Sequence, residues 1–264
     1  MQLVKPSVIE ITQEPSVVGV ISMIDYCAGI CYGREFAHVG LDKQKTFVEN
    51  LVKKNHMRPL EFGTIYLKIR GNAIQHIGLL KLPWCHVVKS VDKNEIVYYV
   101  TTNQRYLVEH SLQHLLTYWC EPTEHHVRRR TFKIRCSRAI ADEYRTHISL
   151  SSLMQSTRYC KLDPLQVVSP QWFDNAPTDV QKIYTDHLNN CEDTYRTLLR
   201  NNLTPQHARG VLPMDMATTL ILCGTVGIDN WGWDRFIQMR VSKEAAPEAS
   251  FLATQIKQKL YGSK

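Results

Sequence analysis

The sequence predicts an α+β fold in which strands cluster in the middle of the chain and helices flank them. Three observations predict it. Thr64–Arg70 and Thr131–Cys136 alternate apolar and polar residues with period two. Ile96–Thr102 is rich in β-branched and aromatic residues. On either side the apolar spacing is helical, most plainly in the long segment after Thr178.

Taken in order, the first helix covers Asp42 to Asn55. Phe47, Val48, Leu51 and Val52 fall on one face, and Asn55 suits a left-handed stop. In Thr64–Arg70, Ile65, Leu67 and Ile69 point one way and Tyr66, Lys68 and Arg70 the other, as in a half-buried strand. After Ile96–Thr102, Asn103 is placed to cap a helix carrying Tyr106, Leu107, His110, His114 and Leu115. Phe132, Ile134 and Cys136 share a face opposite Lys133 and Arg135, and Ser137 then caps a helix over Ala139–Ile148. Ser149–Tyr159 is crowded with hydroxyls. Thr178 and Gln181 read as a capping box for a helix with the stripe Val180, Tyr184, Leu188, Cys191, Tyr195 and Leu198. Pro213 is expected to open the next helix and Gly224 to close it. Two more helices follow, around Trp233–Val241 and Pro247–Tyr261. No repeat or Gly/Ser linker interrupts the chain, so one domain over 1–264 is expected.

The chain has 264 residues, with 32 Lys+Arg against 25 Asp+Glu and 44% hydrophobic residues, which excludes a disordered protein. No run approaches the roughly 18 apolar residues needed to span a bilayer. Met1–Thr12 lacks the pattern of a signal peptide, so a cytoplasmic protein without a membrane partner is expected. Eight cysteines occur without a C-x-x-C pair and mostly inside apolar patterns, which reads as reduced, buried thiols. Cys136, beside Ser137 and Arg138, is the one thiol with an electropositive helix start nearby. His125-His126 has no second ligand pair at a zinc spacing, so no metal is expected.

Familiar nucleophile and nucleotide motifs are missing: no G-x-S-x-G, Walker A, G-x-G-x-x-G or H-E-x-x-H. What remains is an anion-binding pattern. Ser156-Thr157-Arg158-Tyr159 sets two hydroxyl donors beside a guanidinium, the combination a phosphate dianion needs. Arg209 precedes Gly210-Val211-Leu212-Pro213, and Arg240 ends a segment containing Trp231, Trp233 and Phe236. Arg128, Arg129, Arg130, Lys133, Arg135 and Arg138 crowd together and can hold a nucleotide phosphate or nucleic acid, or form a solvated strand edge. Aromatic residues are not interleaved among them as stacking platforms, which speaks against nucleic acid.

Together and in order, these segments resemble the flavin-dependent thymidylate synthases, the ThyX family. The family signature R-H-R-x-x-S-x-N-x-x-S-x-R-Y aligns with Thr146 to Tyr159, where His147, Ser151, Ser156, Arg158 and Tyr159 match. His56-Met57-Arg58-Pro59-Leu60-Glu61-Phe62 resembles the family's H-x-S-P-L-E-H. Ala208-Arg209-Gly210-Val211-Leu212-Pro213 is similar to its R-x-V-L-P element, and Phe236-Ile237-Gln238-Met239-Arg240 to its F-L-x-L-R. The resemblance covers roughly residues 15 to 262 and also includes Glu121–Arg130, Cys136–Ile140 and Ala246-Pro247-Glu248.

The resemblance implies a central, mainly antiparallel sheet flanked by helices and a homotetramer with active sites shared between subunits. It implies conversion of dUMP to dTMP with FAD, NADPH and methylenetetrahydrofolate. Arg240 and His147 would be catalytic. Glu143, Gln155, Ser156, Thr157, Arg158 and Arg240 would bind dUMP, with Arg209 reaching the phosphate from a neighbouring subunit. His56, Arg58, Glu61, Thr146, His147, Ile148, Asn230 and Arg235 would bind FAD. The arginines that bracket the family's His are here Thr146 and Ile148, and Arg145 is one helical step, about 100°, away. Arg58 stands where the family has Ser or Thr. The phosphate half of the site is therefore better preserved than the flavin half. Two rivals accompany this reading: a related enzyme such as a dUMP hydroxymethylase, and a non-catalytic nucleic-acid binder.

Overall fold

A computed structural model describes residues 1–71, 84–92 and 94–262. Strands β1 (Gln2–Val4) and β2 (Ser7–Ile11) lead into helices α1 (Val17–Cys31) and α2 (Leu41–Lys53). Next come β3 (Thr64–Arg70), β4 (His86–Asp92), β5 (Glu95–Asn103) and the short α3 (Gln104–Glu109). The middle of the chain forms β6 (Arg128–Ser137), α4 (Arg138–Tyr144), β7 (Ser151–Met154) and β8 (Gln166–Val168). The last third is α5 (Thr178–Arg200), α6 (Pro205–Ala208), β9 (Ala217–Val226), α7 (Gly232–Arg240) and α8 (Pro247–Tyr261).

The α+β class stands, with antiparallel sheets flanked by helices. Among the described residues the strands form three sheets, where the resemblance implied a single central one. The largest has the order β2-β6-β9-β7, the second β3-β5-β4, and β1 pairs with β8 in parallel. All pairings in the two larger sheets are antiparallel.

Several local expectations hold because they rest on short-range chemistry. Asn55 takes a left-handed φ of 55° just past α2. The Asn103 side chain accepts from the Tyr106 N–H at 3.0 Å, and Ser137 Oγ accepts from Ile140 N–H at 3.3 Å. Other boundaries move. The helix after Asn103 stops at Glu109, and a separate 3-10 turn carries Gln113–Tyr118 beyond a left-handed Ser111. α4 ends at Tyr144, four residues early, and the Thr146 hydroxyl bonds the Glu143 carbonyl. The cap of α5 is Pro177, not Thr178, while Gln181 reaches back to the carbonyls of Phe173 and Ala176.

The main correction concerns Pro213 to Gly224, expected as a helix. Ala217–Val226 is instead strand β9, buried along almost its whole length. Leu220 and Leu222 join a core with Phe132, Ile134, Tyr144, Trp233 and Phe236, on the side covered by α4, α7 and α8. Ile221 and Cys223 pack the other way, with Met23, Cys27 and Ile30 of α1, Phe62 and Leu153. A strand buried on both faces has no apolar–polar alternation, so periodicity cannot tell it from a buried helix. Periodicity misses α1 for a related reason: most of its turns are buried, leaving no polar stripe. Its start is nevertheless written locally, since Ser16 Oγ accepts from Gly19 N–H at 2.9 Å.

The aromatic side of the core is interlocked edge to face. Trp233 meets Phe132 at 5.1 Å and Phe236 at 5.3 Å between ring centroids, and its indole N–H donates to the Arg130 carbonyl at 2.9 Å. Gly232 makes that placement possible. Its φ is +55°, and a Cβ there would lie 2.4 Å from the Thr225 carbonyl oxygen. Gly232→Ala is therefore expected to lower unfolding stability by roughly 2 kcal/mol or more, measured by urea denaturation, through both backbone strain and overlap.

Candidate functional site

The register of the four-stranded sheet builds the site. β6 and β7 both run antiparallel to β9, with Ser137 opposite Ala217 and Met154 opposite Leu220. Their C-terminal ends therefore emerge together, at the N-terminal end of β9. Three segments meet there: the start of α4, the Gln155–Thr157 loop, and the 3-10 turn Arg209–Val211 that leads toward β9. The end of α1 is tied to the same place, since Ser156 N–H donates to the Cys31 carbonyl at 3.1 Å.

Between these segments lies a cavity of about 270 Å³, lined by Arg58, Arg138, Arg145 and Arg209 together with Ser152, Gln155, Ser156, Thr157 and Cys31. Arg209 Nη1 donates to Thr157 Oγ1 at 3.4 Å. Arg209 thus lies against the hydroxyl loop of its own chain. Arg138 and Arg145 share one carboxylate, Asp142, at 3.0 and 3.3 Å. Arg145, the C-cap residue of α4, lines the cavity as well.

Arg158 is placed differently from the sequence expectation. Its side chain leaves the cavity wall, donating to Gln206 at 3.0 Å and lying 5.4 Å from the Tyr159 ring centroid. Its backbone N–H still braces the loop by donating to Ser156 Oγ at 3.2 Å. Of the three guanidinium groups expected to converge, only Arg209 lines this cavity within one chain.

Arg240 anchors a second cluster on the far side of the end of α4. Its Nε donates to His147 Nε2 at 2.8 Å, Nη1 to the Glu143 carboxylate, and Nη2 to the Glu143 carbonyl at 3.3 Å. His147 is buried against the Phe236 ring, 4.9 Å between centroids. Burial, and then the Arg240 and Arg235 charges, push its pKa down to about 4. The imidazole is therefore neutral at physiological pH and accepts from Arg240 at Nε2.

The residues expected to hold FAD fall into two groups. His56, Arg58 and Glu61 sit in the turn after α2. Glu61 is buried, its carboxylate bonded to Arg105 at 2.6 Å and its carbonyl to Arg129 at 2.9 Å. Thr146, His147 and Ile148 follow α4, with Asn230 in the turn before α7 and Arg235 on it. Ile148 is 83% exposed, and Arg235 bonds Gln238 at 3.1 Å. No hydrogen bond or ring contact joins the two groups among the described residues. The polar atoms of Glu61 and His147 that face a partner are already bonded inside the chain.

The basic run along β6 is also mostly spent internally. Arg129 bonds Glu61 and Thr64, Arg130 pairs with Glu10, and Arg135 bonds Gln166. Cys136 is fully buried and burial pushes its thiol well up, so it is no nucleophile. Sequence reasoning missed Arg138, Ser152 and Cys31 as lining residues. For Arg138 the signal was present: it is the first residue of α4, directly after the N-cap Ser137.

Against known families, residues 87–262 match the thymidylate synthase complementing protein family, Thy1. The match spans more than half of the chain, and the chain belongs to that family, whose members are thymidylate synthase enzymes of dTMP biosynthesis. No curated protein matches it. No helix among the described residues is long and apolar enough to cross a membrane.

The neutral His147 gives a pH dependence. Its folded pKa, about 4, lies below the unfolded value near 6.5, so the unfolded chain binds the proton first on acidification. The stability this residue contributes is complete above about pH 6.5 and is lost as pH falls toward 4, by on the order of 3 kcal/mol. Proton NMR is expected to place the His147 titration near pH 4 and to move it upward in Arg240→Ala.

Proposed function

We propose that this protein methylates dUMP to dTMP, with methylenetetrahydrofolate as the carbon donor. The observation that carries this reading is the cavity where Ser156, Thr157 and four arginines face one another in a chain of the thymidylate synthase family. The 5′-phosphate is held there by guanidinium forks and hydroxyl donors, the charge-assisted combination suited to a phosphate monoester.

Arg240 supplies the activating charge. A guanidinium has five N–H donors. Three of those of Arg240 are occupied by His147 and Glu143, which fix its orientation and leave two for a ligand. A cation held in that way stabilises negative charge developing on a uracil carbonyl oxygen without reorganising during the reaction. His147 acts as a positioning acceptor: being neutral, it takes the Nε proton of Arg240 in a hydrogen bond and adds no opposing positive charge. Glu143 balances the arginine and holds it at the end of α4.

Reduced FAD as hydride donor, NADPH as the reductant of FAD and a homotetrameric assembly enter from the family alone. The roles proposed for this chain's residues concern the nucleotide only. The cytoplasm is the expected compartment for this chemistry.

Expression of the protein is expected to restore growth of a thymidine-requiring host that lacks its own synthase. Arg240→Ala is expected to lower kcat by about two to three orders of magnitude while the protein stays folded. Arg209→Ala is expected to act mainly on the KM for dUMP. A hydroxymethylated product, or no growth despite intact dUMP binding, overturns the proposal.

A further inference from the structure

The phosphate cavity holds more positive charge than a nucleoside monophosphate neutralises. Neither Arg58 nor Arg209 has a carboxylate partner among the described residues, and Arg209 is bonded only to the Thr157 hydroxyl. Arg138 and Arg145 divide a single carboxylate, Asp142, between them. Four cations and one anion leave an excess of three positive charges around one cavity. A phosphate monoester carries about −1.5 to −2 at pH 7 and offers three terminal oxygens. That leaves about one cation unbalanced, and fewer oxygens than four two-pronged forks can engage.

The arrangement also has reach. The four guanidinium groups come from three separate places: the turn after α2, the two ends of α4, and the turn before β9. Three separate elements therefore contribute arginines to the wall of the cavity. Its volume of about 270 Å³ is many times the roughly 10–15 Å³ that one water needs, so space does not limit it to one phosphoryl group. Arg58 matters most, because it is exposed, without a carboxylate partner among the described residues, and carried by a different element from the Ser156–Thr157 loop.

We propose that this four-arginine cavity takes a terminal diphosphate, so that deoxyuridine 5′-diphosphate binds there more tightly than the monophosphate. This rests on reading the cavity as the nucleotide phosphate site. A terminal diphosphate brings about one further negative charge and two further oxygens, which matches the excess. The bridging diphosphate of a dinucleotide has no terminal group and carries about the same charge as a monophosphate. The charge count therefore favours the nucleoside diphosphate over a dinucleotide.

Calorimetric titration of the full-length protein with inorganic phosphate, pyrophosphate, dUMP, dUDP and ADP-ribose tests this. Pyrophosphate is expected to bind at least tenfold more tightly than phosphate, and dUDP at least tenfold more tightly than dUMP. Arg58→Ala should bring both ratios close to one, and Arg58→Lys should retain part of each. Equal affinities for dUMP and dUDP overturn the inference, as does ADP-ribose displacing pyrophosphate while dUDP gains nothing over dUMP. Assay of dTMP formation separates this outcome from the proposed function. Turnover of dUMP with a ratio of one removes only the inference, and tight dUDP binding without any dTMP removes only the reaction.

Discussion

The pairing of β9 between β6 and β7 is the constraint on which the rest of the site depends. Both neighbours run opposite to β9, so they deliver their following segments to one end of the sheet. The start of α4 and the Ser156–Thr157 loop become neighbours there, although the residues concerned are far apart in sequence. A slip of one residue in either register would turn each side chain of that strand to the opposite face. Leu220 and Leu222 would then exchange cores with Ile221 and Cys223, and each core holds closely packed partners on its own side. Register is therefore held by packing on two faces at once.

Two kinds of electrostatics meet across the end of α4. On one side, four arginines line a cavity in which Asp142 is the one carboxylate paired with them among the described residues. On the other, Arg240 is already satisfied by Glu143 and by a histidine held neutral by burial and nearby charge. The first is a binding site whose charge is unmet. The second is a preorganised cation whose orientation is settled before any ligand arrives. Arg145 and His147, two residues apart just past α4, belong one to each cluster.

Much of the fold was legible where one short-range rule decides the outcome. The caps at Asn103 and Ser137, the left-handed Asn55 and the half-buried strand Thr64–Arg70 each depend on neighbours in sequence. The reading failed where burial removes the pattern: β9 is apolar on both faces, and α1 is buried around most of its turns. The candidate site followed the same division. Ser156, Thr157 and Arg209 stand out as anion-binding residues and do line the cavity, whereas Arg158 turns away toward Gln206. Arg145 lines the cavity from the C-cap of α4, a placement that no sequence motif marks.

By itself the sequence determined the class of fold, the family, the residue types that can hold a phosphate, and the arginine at the end of α7. Those are properties of composition, local hydrogen bonding and ordered motifs. Tertiary structure alone decided which of the arginines line one cavity, which are paired, and that burial and nearby charge favour the neutral form of His147. Charge balance and proton affinity depend on distance and burial, and these arise only when strands remote in sequence are brought into register.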